Sequence, residues 1–313
     1  FYSEWEDFER RGKNMSLKIA NATKRFGSFT AVDHIYFEID KGEIFGFLGA
    51  NGAGKTTTFR MILGILDPTE GEITWNGKKI DYSISGQIGY LPEERGLYSK
   101  LKVSEQMVYL ASLRGMAKKD TLRELDFWLE KFRIEDYKNK KVEELSKGNQ
   151  QKIQYITSVI HKPDLLILDE PFSGLDPVNV DLLKEAILYV KNLGTTIIFS
   201  SHQMDHVEDL CENLCIMDRG KPVVQGKLKE IKKDFGRKNL TIHADFDCSD
   251  LKNLRGVTNY QTTAEGVRLQ IIDETVVQQI QGMIFSRGFI RKFQLDEPSL
   301  HEIFIEKVGT KHA

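Results

Sequence analysis

A glycine-rich segment that ends in a lysine and a hydroxyl residue is the first feature of this chain that could do chemistry. Residues 49–56 read GANGAGKT, which fits the pattern G-x-x-x-x-G-K-[ST] between an apolar strand and a predicted helix. Glycines let the backbone curl closely and aim its N–H groups inward, so a phosphate sits at the positive end of the following helix. The segment predicts binding of ATP, with Lys55 beside the β- and γ-phosphates and the Thr56 hydroxyl on Mg²⁺.

The alternative for this segment is a chance glycine-rich turn. The Lys-Thr pair and the strand–turn–helix setting favour the phosphate site instead. The residues that we expect to contact the nucleotide here are Gly49, Asn51, Gly52, Ala53, Gly54, Lys55, Thr56 and Thr57.

Two carboxylates follow an apolar strand later in the chain. The run LLIL at 165–168 leads directly into Asp169 and Glu170, and ligands of nucleotide-binding sheets collect at the carboxyl ends of strands. We expect Asp169 to hold Mg²⁺ and Glu170 to act as the general base on an attacking water, a role that contributes about 10²–10⁴-fold in rate. A solvated acidic turn is the alternative, but the glycine-rich segment in the same chain argues against it.

The elements that must position these residues follow from the hydrophobic pattern. Between residues 16 and 80 the chain alternates strand-like runs with turns, and the apolar strands PDLLILDEP and TTIIFSSH flank a predicted helix, DLLKEAILYVKNL. Strands this apolar indicate a parallel sheet covered by helices on both faces. Three helices are predicted between about 103 and 145, from SEQMVYLASLRGM, TLRELDFWLEKFRI and KKVEELS.

The length of 313 residues suggests two domains. A basic polar run at 227–238 marks the boundary, and the smaller region after it is predicted to be α+β. We expect a leading segment at 1–14, a first domain at 15–230 with a helical subdomain at about 95–145, and a second domain at 231–313. Segment 1–14 is interpreted as an upstream extension, with a short partner-binding helix as the alternative.

The composition and charge of the chain narrow the classes of function that it could have. A formal net charge of -2 does not favour a nucleic-acid partner, which usually leaves a basic imprint. No run approaches the ~18 consecutive apolar residues of a membrane span, so we expect a cytoplasmic protein which, if it serves a membrane, does so through a partner, peripheral at the inner face. The three cysteines do not indicate a disulfide framework, and Cys211 and Cys215 are expected to share a buried helical face rather than to bind a metal.

Five elements occur in an order that resembles the ABC ATPases over roughly residues 16–230. They are the glycine-rich segment, LSKGN at 145–149, LLILDEP at 165–171, SGLD at 173–176 and SSH at 200–202. The resemblance implies an α/β fold: a P-loop NTPase cassette with a RecA-like mixed or parallel sheet, an antiparallel β part and a helical insert. The tail, ending in EPSLHEIFIEKVG, resembles the accessory domain of sodium-efflux and drug-resistance exporter ATPase subunits.

The resemblance also implies roles for single residues. Phe26 matches the aromatic residue that stacks on adenine, with a core position as the alternative. Ser146 and Gly148 match the element that contacts the γ-phosphate held by an opposing copy, and Asp176 matches the loop linking the two sites. His202 matches the histidine that contacts the γ-phosphate and orients water.

The function implied by the resemblance is an ATP-hydrolysing subunit that dimerises around two Mg-ATP molecules and drives a separate membrane permease of the exporter type. Its second subunit would be another copy of itself or a homologous ATPase. The alternative is a soluble ABC ATPase acting on nucleic acid or the ribosome. Such proteins typically carry two cassettes, long coiled coils or zinc elements, none of which the sequence indicates.

Two positions depart from the family pattern. The signature element reads LSKGN instead of LSGGQ, which keeps Ser146 and Gly148 but changes Lys147 and Asn149. Glu93 stands where the family usually has a glutamine that contacts Mg²⁺ and the attacking water. A carboxylate can still bind the metal, but it adds negative charge beside the γ-phosphate.

The first prediction concerns Glu93. Glu93→Gln removes that negative charge, so we expect altered basal or permease-coupled hydrolysis of ATP, measured as phosphate release with and without the permease. Unchanged rates in both assays would refute a tuning role for the carboxylate.

Overall fold

The computed structural model describes residues 15–94 and 96–309, and the chain divides into two compact units, one ending at Gln225 and the other beginning at Gly226. The predicted leading segment, 1–14, lies outside the described residues. Each unit has its own hydrophobic core. Within the described ranges, no helix combines the length and the apolar character needed to cross a lipid bilayer.

The strands of the described residues are numbered in chain order. They are β1 (Met15–Phe26), β2 (Phe29–Asp40), β3 (Ile44–Gly49), β4 (Glu70–Trp75), β5 (Lys78–Lys79), β6 (Ile88–Leu91), β7 (Leu165–Asp169), β8 (Thr196–Ser201), β9 (Asn213–Asp218), β10 (Lys221–Lys227), β11 (Lys238–Ala244), β12 (Val257–Thr263), β13 (Gly266–Ile271) and β14 (Ile290–Asp296).

The α-helices are numbered in the same way. They are α1 (Lys55–Ile62), α2 (Val103–Ser112), α3 (Lys118–Lys131), α4 (Lys147–Val159), α5 (Pro177–Asn192), α6 (Met204–Leu210), α7 (Leu228–Asp234), α8 (Glu274–Ile284) and α9 (Leu300–Phe304).

A six-stranded sheet in the order β10-β9-β3-β8-β7-β6 forms the centre of the first unit. Five of these strands, β9 to β6 in that order, pair in parallel. Strands β3, β7 and β8 are buried along their whole length, as expected for a parallel sheet whose faces are both covered. The predicted α/β fold class is therefore confirmed.

A second, antiparallel sheet has the order β2-β1-β4-β5. Alternate residues of β1 and β2, such as Leu17, Ile19 and Phe37, point into the same core as β3 and α1. Phe37 stacks on Phe45 of β3 at a centroid distance of 4.8 Å. This packing holds the antiparallel sheet beside the loop that follows β3.

The helical insert differs from its prediction at one place. Helices α2 and α3 form as expected, but the third predicted helix, from KKVEELS, is only a 3-10 turn at Val142–Glu144. Leu145 already has an extended backbone, and Ser146 caps the next helix, α4. A cap residue ends the preceding turn because its own φ and ψ are not helical.

The prediction for the cysteine pair is wrong in its secondary structure. Cys211 ends α6 with an extended backbone, and Cys215 lies in β9. Both thiols are free and buried, and burial raises the pKa of Cys215 to about 12. Their four-residue spacing therefore reflects a turn from helix to strand into the core, not one helical face.

The second unit is an antiparallel sheet in the order β12-β13-β11-β14 with α8 on one face. Leu240, Ile242 and Leu269 of the sheet pack against Ile280 and Ile284 of α8. The opposite face is polar, and there Glu302 of α9 accepts hydrogen bonds from Asn239 and Gln270. One face of this sheet is thus covered by apolar packing and the other by polar hydrogen bonds.

Candidate functional site

The carboxyl ends of four parallel strands meet at one edge of the central sheet. The register pairs Leu48 with Ser201, Asp169 with Ser200, and Leu91 with Leu168. The segments that follow these strands therefore come together, although they lie far apart in the sequence. They surround a cavity of about 360 Å³.

Most of the predicted nucleotide-binding and metal-binding residues line this cavity. Its lining consists of Phe29, Ala31, Ala50, Asn51, Gly52, Gly54, Lys55, Thr56, Thr57, Glu93, Asp169 and Glu170. Gly49 and Ala53 belong to the same loop without lining the cavity. His202 joins the site through Glu170, as described below.

The loop after β3 leaves room for a phosphate at the start of α1. Gly54 precedes the helix with φ of 105°, and a Cβ atom there would lie 2.7 Å from the Ala31 carbonyl oxygen, so the position requires glycine. No side chain among the described residues caps this helix start, and its first N–H groups remain available to an anion. The buried Lys55 donates from Nζ to the Gly49 carbonyl at 2.5 Å and to Ala50 at 3.3 Å.

Asp169 is buried and held by two hydroxyl groups. Ser200 Oγ donates to Oδ1 at 2.6 Å, and Thr56 Oγ1 donates to Oδ2 at 3.3 Å. Burial and the negative charge of Asp169 raise the pKa of the neighbouring Tyr90 phenol to about 12. The Thr56 hydroxyl and the Asp169 carboxylate thus lie together, as oxygen ligands of Mg²⁺ must.

Glu170 adopts a left-handed backbone conformation with φ of 51°, which costs a non-glycine residue about 1–3 kcal/mol and is concentrated at functional sites. Its N–H donates to Ser200 Oγ at 3.0 Å, and its Oε2 lies 2.8 Å from Nδ1 of His202. Because an ionised carboxylate only accepts, this contact puts the imidazole proton on Nδ1. Nε2 of the exposed His202 ring is then free to accept a proton or a hydrogen bond.

Ser146, Gly148 and Asp176 lie outside the cavity lining but close to one another. Ser146 caps α4 by accepting from the Asn149 N–H at 3.3 Å, and Asp176 caps α5 by accepting from the Asn179 N–H at 3.0 Å. A Cβ on Gly148 would lie 3.4 Å from Nδ2 of Asn179. The hydrogen bonds from Asn179 hold the pKa of the exposed Asp176 carboxyl below its usual range.

Two phenylalanines flank the cavity on the antiparallel sheet. Phe26, predicted to stack on adenine, ends β1 with half of its surface exposed and is not among the lining residues, while Phe29 lines the cavity with 65% exposed. Stacking by Phe26 stays a prediction. The sequence carries both rings three residues apart, and only the turn between β1 and β2 decides which one faces the cavity.

The sequence interpretation missed the residues that hold the site together. Ser200 bonds to both Asp169 and Glu170, although SSH was noted only for its histidine. Gln154 of α4 donates from Nε2 to the carbonyls of Pro92 and Glu94, at 3.1 Å each. These bonds tie the helix that begins at Ser146 to the segment that carries Glu93.

Gln151, one turn before, donates to the Pro171 carbonyl at 3.0 Å, next to Glu170. Gln151 and Gln154 are both buried polar residues of α4. Polar amides on the apolar side of a helix were the available signal, since buried amides must find partners.

Family models match both units. Residues 32–173 match the model described as "ABC transporter", and residues 226–308 match "ATP-binding protein DrrA1-3-like, C-terminal domain". These matches confirm the resemblances inferred for the cassette and for the tail.

Relatives match the chain over both units, and a solved structure matches part of it. The chain is 64% identical over 293 residues to an uncharacterized ABC transporter ATP-binding protein, YhaQ, of Bacillus subtilis (strain 168), covering 94% of this chain and 98% of that protein. It is 31% identical to the bacitracin transport ATP-binding protein BcrA of Bacillus licheniformis, covering 94% and 97%. A solved structure titled as an ATP-binding subunit of an ABC transporter matches with a TM-score of 0.66 and 31% identity, covering 71% of this chain and 93% of that chain.

The second prediction tests Ser200. Ser200→Ala removes a donor to Asp169 and the acceptor of the Glu170 N–H, and hydrogen bonds to charged groups contribute about 1.5–3 kcal/mol. We expect the kcat of ATP hydrolysis to fall about 10- to 100-fold, measured as phosphate release. Ser201→Ala is the matched control, because the Ser201 hydroxyl accepts only from the Gln203 N–H in the described contacts. Equal effects of the two variants would contradict the assignment.

Proposed function

This chain belongs to the ABC transporter family as an ATP-binding, ATP-hydrolysing subunit, and we propose that it cleaves Mg-ATP at sites shared between two copies. Subunits of this kind dimerise and work with membrane permease subunits. The soluble nucleic-acid or ribosome alternative has no support from the relatives, which are named as transporter proteins.

The cavity fits a nucleoside triphosphate with Mg²⁺. The uncapped start of α1 and the Lys55 ammonium supply positive potential for the phosphates. Thr56 and Asp169 would hold the metal, and Glu93, exposed on the cavity rim, would be a third oxygen donor. The metal, when bound, neutralises phosphate charge.

Glu170 is proposed as the general base and His202 as its partner. The hydrogen bond of 2.8 Å between them orients both groups, and Ser200 holds the backbone of Glu170 in its strained conformation. A buried carboxylate at the cavity wall can accept a proton from a water that attacks the γ-phosphate. Lys55 and the backbone N–H groups then stabilise the charge of the transition state.

The observation that carries the shared site is the position of the signature residues. Ser146 and Asp176 are exposed and do not line the cavity of their own copy. Each caps a helix, Ser146 by accepting from the N–H of Asn149 and Asp176 by accepting from the N–H of Asn179. A second copy would bring its own triphosphate against this surface, with Ser146 and Gly148 as γ-phosphate contacts.

The proposed partners are a second copy of this chain or a homologous ATPase, and a separate membrane permease. We place the subunit at the cytoplasmic face of the membrane, where ATP is available. Export is proposed as the direction of transport. Its support is that proteins named as Nod factor export ATP-binding proteins are among the relatives that match this chain.

The third prediction tests the general base. Glu170→Gln keeps the shape of the side chain but cannot take the proton, so we expect turnover to fall by about 10²–10⁴-fold while ATP binding is retained. The variant should elute from size-exclusion chromatography with uncleaved ATP still bound, because the bridging triphosphate is not hydrolysed. Glu135→Gln, on an exposed turn of the helical insert, should behave as wild type. Hydrolysis at the wild-type rate by Glu170→Gln would refute the assigned base.

The fourth prediction tests the shared site by mixing two inactive variants. Lys55→Ala disables the phosphate loop of its own copy, and Ser146→Arg blocks the signature surface of its own copy. A mixed dimer contains one complete site, so an equimolar mixture should reach about a quarter of the wild-type rate, because half of the dimers are mixed and each has one good site. Each variant alone should be nearly inactive, and Ser146→Arg should still bind ATP. A mixture no faster than its two components would show that each copy works alone.

A further inference from the structure

Strand β14 lies at the end of the sheet of the second unit. In the order β12-β13-β11-β14 it pairs with β11 on one side only within the described residues. An edge strand presents backbone N–H and C=O groups that can pair with another strand. Helix α9 lies over β11 and β13, where Glu302 contacts Asn239 and Gln270.

Two exposed aromatic side chains lie beside this edge. Phe285 and Phe289 are 57% and 69% exposed. The Phe285 ring packs edge-on against Phe293 of β14 at a centroid distance of 5.5 Å. Apolar surface next to an unpaired strand favours a protein partner over solvent.

We propose that β14 pairs with β14 of a second copy of this chain, antiparallel and centred on Gln294, so that the two second units share one continuous sheet. The two-fold symmetry of such a pair makes each contact occur twice. Around Gln294 the register places Lys292 opposite Asp296 of the second copy and Phe293 opposite Leu295 of the second copy. Opposite charges and apolar side chains that face each other across strands stabilise the pairing.

The charge pattern selects this register over its neighbours. A pair centred on Lys292 or on Arg291 would bring two like charges face to face, and one centred on Phe293 would form no opposite-charge pair. The register centred on Gln294 also places Arg291 opposite Glu297, although Arg291 contacts Asp245 within its own chain at 2.9 Å. Charged residues on an edge usually keep sheets apart, but here they attract a copy of the same strand.

The contact goes beyond the proposed nucleotide-driven dimer, because it involves only the second unit and needs no ATP. It would keep two copies joined while the cassettes separate after hydrolysis.

The fifth prediction is a cross-link with a single register. In the proposed pair, Gln294 faces its symmetry mate at a Cα separation of about 4.5–5.5 Å, which lies within the range for a disulfide. The full-length Gln294→Cys variant, oxidised without nucleotide, should form a covalent dimer on a non-reducing gel. The native cysteines Cys211, Cys215 and Cys248 are all buried and should not react.

Lys292→Cys is the matched control, because position 292 faces position 296 of the second copy and not position 292. The two introduced cysteines are then beyond disulfide range, so this variant should give about tenfold less cross-linked dimer than Gln294→Cys. Gln261→Cys, on the other edge strand β12, should run as a monomer on the non-reducing gel. No cross-link at 294, or equal cross-linking at 292 and 294, would overturn the proposal.

A charge swap gives an independent readout in the nucleotide-free protein. Lys292→Glu places like charges opposite each other and should weaken self-association by about tenfold in sedimentation equilibrium, and the double variant Lys292→Glu/Asp296→Lys should restore it. Lys252→Glu, exposed on a 3-10 turn of the same unit, is the control for net charge. Equal self-association constants for all these proteins would also overturn the proposal. Thermal melting checks that each variant is folded.

Discussion

Parallel pairing of β3, β8 and β7 is the constraint on which the site depends. Because the strands run in the same direction, their carboxyl ends lie at one edge, and the glycine loop, the two acids and His202 follow those ends directly. Ser200 then connects the strands chemically, since its hydroxyl binds the Asp169 carboxylate and the Glu170 N–H. A one-residue slip between β7 and β8 would turn this hydroxyl to the other face of the sheet.

Helix α4 links three functional regions that the sequence separates. It begins at Ser146, it reaches the Glu93 segment through Gln154, and it reaches the loop after Glu170 through Gln151. Gly89 allows α4 to lie close to β6, where a Cβ would be 2.1 Å from the Ser158 carbonyl oxygen. A change at the edge proposed to hold Mg²⁺ therefore has a rigid element through which it can reach the surface proposed to face a second copy.

The second unit combines an apolar core with the edge strand β14. Alternation in β11 and β13 puts Leu240, Ile242 and Leu269 against α8, which stabilises the unit by burial. The other face carries hydrogen bonds to Glu302 of α9, and the pKa of this carboxyl is lowered by its Asn239 and Ser299 partners, which outweigh the opposing effect of burial. These contacts place α9 over the inner strands β11 and β13, while β14 pairs only with β11 within the described residues.

The sequence by itself determined the strands, the fold class and the main chemistry. Apolar runs between turn residues predicted β3, β7 and β8, and a lysine, a threonine and two acids at fixed places predicted nucleotide binding, because such local patterns depend on neighbouring residues only. The same reasoning was wrong for the helix from KKVEELS and for the helical face of Cys211 and Cys215. In both cases a cap or a turn interrupts a spacing that alone favours a helix.

Tertiary structure alone decided which residues meet. Strand register or a turn brings together residues that are distant in the sequence. The examples are the hydrogen bonds of Ser200 to the acids, the hydrogen bonds of Gln154 to the Glu93 segment, and the position of Phe29 rather than Phe26 at the cavity wall. The separation of Ser146 and Asp176 from their own cavity also emerges only in three dimensions. Hydrogen bonds and contacts between distant segments produce no periodic pattern in a sequence, so only the folded structure shows them.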